Sequence, residues 1–252
     1  MNNILTAAML ATLLLLQPNA AHTEEADAAA DEPQRLAAEM AAPVVEFQSD
    51  TDIGLLARLH FATHTADFHR ARAFYRTLGY TQGIDDFPLT NTHQMARALG
   101  MFDICQYELA EGEVMQLPGS PSPANIDLLQ FKIPFDDSPP YEKPNHLGMA
   151  YAAYATTDFD SDVATLKQLG TPLLSEPYGE AGARFVFFRD PDGVLYKLLE
   201  TNAGPEASGE MHIFNMPYLA VNVSDLEASL EFYAMFGYTN VTPLGQTEGD
   251  LE

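Results

Sequence analysis

Two stretches of this chain repeat one another without a gap. The first is LHFATHTADFHRARAFYRTLGY (Leu59 to Tyr80) and the second PYLAVNVSDLEASLEFYAMFGY (Pro217 to Tyr238). Asp67 matches Asp225, Phe74-Tyr75 match Phe232-Tyr233, and Gly79-Tyr80 match Gly237-Tyr238, every pair 158 residues apart. A repeat on that scale means one folding unit used more than once. Within the first copy Leu59, Phe61 and Thr63 alternate with Arg58, His60, Ala62 and His64, the two-residue period of a half-buried strand. Asp67 follows as a helix N-cap, Ala71, Phe74, Tyr75 and Leu78 recur at three- and four-residue spacing, and Gly79 is the stop. The helix covers one side of the strand, which leaves Arg58, His60 and His64 on a polar, concave side.

A second unit lies between the two copies. MAYAAYATT (Met149 to Thr157) reads as a strand, and a helix follows from Asp160 with Val163, Leu166 and Leu169 in register and Gly170 closing it. FVFF (Phe185 to Phe188), the tight turn Asp190-Pro191-Asp192-Gly193 and VLYKLLE (Val194 to Glu200) complete it as a hairpin. Upstream, a short helix is predicted over Asn91 to Leu99, and a strand pair over Phe102 to Leu109 and Asn125 to Ile133.

Composition bounds the function. With 46% apolar and 19% charged residues over 252 positions the chain folds as a globular protein of one large or two small domains. A formal charge of −24 repels the phosphate backbone, which excludes nucleic acid as a partner. One cysteine, Cys105, closes no intrachain bridge. The charge-free run ILTAAMLATLLLL (Ile4 to Leu16), followed by Pro18, Ala20 and Ala21, has the length of a secretory signal and is too short to span a bilayer. Residues 22 to 50 hold eight acids against Arg35 alone, the make-up of a solvated tether. The expected organisation is a signal peptide over 1–21, an acidic tether over 22–50, a main domain over 51–202 and an incomplete second domain over 211–252. The expected location is periplasmic or secreted, with no stable membrane span in the mature chain.

Arg58-Leu59-His60, the Asp67 helix ending in Leu78-Gly79-Tyr80, Ile126-Asp127-Leu128-Leu129-Gln130-Phe131, and DPDG followed by VLYKLLE together resemble the vicinal oxygen chelate superfamily, which includes glyoxalase I, fosfomycin-resistance enzymes, bleomycin-binding proteins and extradiol dioxygenases. The resemblance covers about Ile53 to Thr201 and resumes near Met211. It implies an α+β fold of paired βαβββ modules, forming a cupped mixed sheet with helices on the outside. It also implies a pocket for a small molecule, often with a divalent metal, and admits a homodimer.

The resemblance carries over residue by residue. His60 matches the ligand on the first strand, and Asp127 stands where the last strand of the first module supplies a carboxylate. In the second module the first-strand position falls on Tyr151 or Ala152, with His146 reaching it only across an insertion. The last ligand position is Lys197, whose ammonium has no lone pair and repels a dication. The expectation is therefore either no cofactor or a divalent metal on His60, Asp127 and His146. The plainer reading makes His60 and His64 pocket-lining polar residues and pairs Asp127 with Arg58 or Lys197. If Lys197, Arg58 and His60 converge, the pocket takes a small anionic or oxygen-rich ligand between Tyr151, Phe131 and Phe187. Three functions remain open from sequence: a lyase, isomerase or dioxygenase using His60 and Asp127, a metal-free binding protein, and a non-catalytic subunit. An exported location argues against glutathione-dependent chemistry.

Overall fold

The first βα unit opens with a buried-exposed alternation, and in all three units a capping aspartate follows the opening strand. The structure, a computed structural model, describes residues 60–84, 89–103, 105–120, 124–202, 204 and 210–241. The expected signal peptide over 1–21, the tether over 22–50 and Arg58 lie outside the described residues. Strand β1 (His60–His64) leads into α1 (Phe68–Thr77), where Asp67 accepts a hydrogen bond from the Arg70 N–H. Then come β2 (Gln82–Ile84), a short α2 (His93–Ala98), β3 (Glu108–Gln116) and β4 (Asn125–Ile133). The second module runs β5 (Gly148–Thr156), α3 (Phe159–Gln168), β6 (Phe185–Arg189) and β7 (Leu195–Glu200). The third copy of the unit supplies β8 (Ile213–Asn222) and α4 (Leu226–Ala234). Asp158 and Asp225 cap α3 and α4 as Asp67 caps α1.

These elements form two four-stranded mixed sheets with helices, an α+β fold. The first has the order β1-β4-β3-β2, with β1 and β4 parallel and the other pairs antiparallel. The second has the order β6-β7-β5-β8, with β5 and β7 parallel. Isolated bridges at Leu173–Phe188 and Tyr178–Phe185 stand where β2 stands in the first module. β8 pairs antiparallel along the outer edge of β5. The edge of the second module is thus closed by the opening strand of the third copy.

One core serves both modules. Phe61, Ile126, Leu128 and Met115 from the first sheet meet Tyr154, Phe188, Tyr196 and Leu198 from the second, with the apolar faces of α1 and α3 among them. The opposite face of each sheet turns away from that core.

A polar network joins the modules inside it. The Tyr75 hydroxyl donates to Asp190 Oδ2 at 2.6 Å and lies 2.8 Å from the Tyr196 hydroxyl. Asp190 Oδ1 accepts from the N–H groups of Asp192 and Val194, which fixes the DPDG turn. Asp192 in turn accepts from Thr65 Oγ1, Ala66 N–H and Arg70 Nη2. The turn read from sequence is therefore also a clamp on the loop that leads from β1 to α1.

The first module differs from expectation at β3. A strand over Phe102 to Leu109 is not formed, since that stretch is mostly turn and its strand begins only at Glu108. The run ELAEGEVMQ carries three acids and a glycine, a composition that reads as loop. Tertiary pairing overrides it, because Glu113 is 1% exposed and receives both Arg72 and Arg76 from α1. A Cβ on Gly83 of the neighbouring strand would collide with the Glu113 carboxylate. Gly83→Ala should therefore destabilise the protein by about 1–3 kcal/mol in chemical denaturation, through displacement of that carboxylate from its two arginines. An unchanged midpoint would mean that the carboxylate shifts freely.

Among the described residues no helix is long and apolar enough to cross a membrane.

Candidate functional site

β1 and β4 set the first group of site residues. The alternation that buries Phe61 and Thr63 turns His60, Ala62 and His64 to the outer face of the sheet. Parallel pairing puts Asp127 beside Ala62 on that same face. His60 Nδ1 lies 3.3 Å from Asp127 Oδ1. The imidazole is 42% exposed, whereas the Asp127 side chain is 9% exposed, and among the described residues its Oδ1 has no hydrogen-bond partner. Burial raises the Asp127 carboxyl above the usual carboxylate range, and the charge of His60 pulls it back in part. A buried acceptor in this state is a group still waiting for a donor.

Farther along the same strands, the His64 ring packs edge-on to Phe131 at 5.0 Å, and Phe131 packs on Tyr107. Burial lowers the His64 pKa, so the ring is held neutral to a lower pH than a free imidazole. His64 and Phe131 line a cavity of about 440 Å³ with Met101, Phe135, Arg70 and Asp192, at the junction of β1, α1, the linker into β5 and the DPDG turn. Two of the residues expected in a pocket thus wall this cavity, while His60 and Asp127 lie outside its lining. Sequence reading missed the linker side of it, because a proline-rich connection carries no periodicity that says what it packs against.

The second group stands on the other sheet. Lys197 pairs in register with Ala153, just as Asp127 pairs with Ala62, so it occupies the position equivalent to Asp127. Its ammonium lies 3.9 Å over the Phe185 ring and 5.7 Å from Phe187. Tyr151 packs on Phe187 at 5.0 Å and faces Tyr218 of β8 at 6.4 Å. The Tyr218 hydroxyl is pushed up to about 12, first by burial and then by the charge and hydrogen bond of Tyr151. This outer face therefore presents tyrosines, phenylalanines and an ammonium.

The two groups sit on separate sheets, each of which contributes residues to one buried core. Asp127 has His60 within ion-pair distance. His146 lies in the linker before β5, with Nδ1 3.1 Å from the Lys143 carbonyl and its ring 4.1 Å from Tyr141. Among the described residues no three His, Cys, Asp or Glu side chains gather as a metal centre. His60 and Asp127 furnish two donors, an imidazole nitrogen and an unbonded carboxylate oxygen, which fit half of a divalent shell.

The fold is similar to several solved structures. A glyoxalase family protein from Bacillus cereus aligns over 58% of this chain and 94% of its own, with 20% identity and a TM-score of 0.47. Glyoxalase I from Zea mays aligns over 70% of this chain and 53% of its own, with 18% identity and a TM-score of 0.43. This chain thus spans about half of that enzyme. A genomically encoded fosfomycin resistance protein from Listeria monocytogenes aligns over 56% of this chain and 89% of its own, with 15% identity and a TM-score of 0.35. No protein-family model matches the sequence, and no curated protein does.

Proposed function

We propose that this chain is an exported protein of the vicinal oxygen chelate type that binds a small, oxygen-rich metabolite on the outer face of its first sheet. The observation that carries the reading is the buried Asp127 carboxylate with an unbonded oxygen beside a half-exposed imidazole. A ligand hydroxyl can donate to Asp127 Oδ1 while a neighbouring ligand oxygen accepts from a ring N–H of His60. Two polar groups close together on a wall with apolar neighbours suit adjacent oxygens on a small carbon skeleton.

His60 and Asp127 are also the two donors that the family resemblance offers to a divalent metal, which would supply Lewis-acid polarisation of those ligand oxygens. This second reading rests on the same unbonded oxygen. The protein's own part is to orient the ligand between Asp127 and the His60 imidazole.

Calorimetric titration with small vicinal diols and α-hydroxy acids, each with and without Zn²⁺ or Mn²⁺, tests both readings. A member of the panel should bind wild type, and His60→Ala should weaken it about tenfold, the loss of one hydrogen bond. Lys197→Ala should leave that affinity unchanged. Equal losses in the two variants, or no binding with or without metal, would remove the proposal.

A further inference from the structure

We propose that the cavity at the end of β1 binds an aromatic ammonium ion, with its ring among Phe131, Phe135 and His64 and its charge against Asp136 and Asp137. The inference is independent of the reading above, since neither His60 nor Asp127 lines this cavity. At about 440 Å³ the space suits a small organic molecule. Its lining divides into an apolar wall and an acidic rim, and each matches one part of such a ligand.

The wall begins where β4 carries Phe131 to the His64 ring, and the chain beyond Ile133 adds Phe135 and a set of prolines. Phe135 is 61% exposed, a large apolar ring with most of its surface in water. A flat aromatic ligand covers such a surface. The linker that carries Phe135 is tied down farther along. Arg189 donates to the Glu142 carbonyl, and Asn222 of β8 donates to the carbonyls of Pro144 and His146. Pro140 sits on the DPDG turn, where a Cβ on Gly193 would come within 3.4 Å of it. These ties form the cavity before a ligand arrives, which lowers the ordering cost of binding.

Charge selects the other end of the ligand. Among the described residues that line the cavity, the carboxylates of Asp136, Asp137 and Asp192 stand against the guanidinium of Arg70. Arg70 donates to Asp192 at 2.8 Å, so that pair cancels and the rim keeps the charge of Asp136 and Asp137. Hydrogen bonds from the side chain and the N–H of Ser138 hold the Asp136 carboxyl below the usual carboxylate range. Burial lowers the His64 pKa, so at neutral pH this ring brings no positive charge to the wall. An anion would meet two carboxylates and a guanidinium already committed to a third. An ammonium gains from both rim carboxylates, and from any ring face within about 6 Å of it.

The chain contains no tryptophan, so indole fluorescence reports on an added ligand alone. Anisotropy titrations of the full chain with tryptamine, tryptophol and indole-3-propionate keep the ring constant and change the charge. Tryptamine should bind at least about tenfold tighter than tryptophol, and indole-3-propionate should bind most weakly. Raising the salt from about 0.1 M to about 1 M should weaken tryptamine and leave tryptophol undiminished. An Asp136→Asn and Asp137→Asn double variant should bring tryptamine down to the affinity of tryptophol. Phe135→Ala should weaken both about fivefold, the loss of one aromatic wall. All three side chains are exposed, so these variants keep the fold. Glu227→Gln, an exposed acid on α4 outside the lining, should change nothing. No binding of tryptamine, equal affinity for the three probes, a double variant that binds as wild type does, or an equal loss through Glu227→Gln would each overturn the proposal.

Discussion

Replacing Asp127 by Asn is expected to stabilise the ligand-free protein and to remove its binding. The carboxylate is 9% exposed, and one of its oxygens has no hydrogen bond. A buried polar group in that condition opposes folding by roughly 1–3 kcal/mol, and a neutral amide of the same shape relieves the charged part of it. A gain of about 1 kcal/mol would raise the melting midpoint by about 2–4 °C for a chain of this size. The same substitution removes the anionic acceptor that the ligand is proposed to satisfy, and affinity for any diol or hydroxy acid found to bind should fall at least about tenfold. Opposite signs of effect on stability and binding mark a site residue rather than a packing residue. Scanning calorimetry beside binding titration checks the pair of outcomes. A variant that melts earlier and binds as before would make Asp127 a structural partner of His60.

Asp190→Ala should have the largest effect on the fold, a loss of about 3–5 kcal/mol in urea titration. Asp190 is buried and accepts from Tyr75, Asp192 and Val194, so its removal strands a buried hydroxyl and two backbone donors and unties the second module from α1. Tyr75→Phe removes one of those bonds and should lose about 1–2 kcal/mol. The direction with pH also follows. Burial raises the Asp190 carboxyl above its ordinary 3.8, and its hydrogen bonds offset this only in part. An acid whose pKa is higher folded than unfolded binds its proton more tightly in the fold. Its contribution is therefore complete below the unfolded value and is lost as pH rises through the folded one. Stability measured across that window should fall for wild type relative to Asp190→Asn. A difference that grows with pH in the other direction would mean that the hydrogen bonds outweigh burial.

The units themselves were legible in the residues. Asp67 and Asp225 accept from the third N–H of their helices, as the cap pattern requires, and Gly79 and Gly237 take positive φ at the helix ends. β4 has the bounds Asn125–Ile133 read from the sequence. The helix of the second module was read one residue late, from Asp160 rather than Phe159, and its cap is Asp158. β3 was misread because Glu108, Glu111 and Glu113 look like loop acids until Arg72 and Arg76 are seen to neutralise the buried Glu113. That pairing joins residues more than thirty apart, which no local pattern encodes.

The candidate site divides along the same line. Alternation within β1 is enough to put His60 and His64 together on a face away from Phe61, and the register of a parallel pair brings Asp127 to them. Those are properties of single elements and of their nearest neighbours, where periodicity and local hydrogen bonding leave little choice. Whether Lys197 joins them depends on how two modules meet, and that is decided by Tyr75, Asp190, Tyr196 and the shared aromatic core. Both sheets contribute residues to one core, and the imidazole and the ammonium stand on different sheets. Sequence by itself determined the repeating unit, its caps and the residues on each face. Only the tertiary structure decided which faces look at one another, because burial of apolar surface between modules is a property of the whole chain and leaves no periodic mark in any one segment.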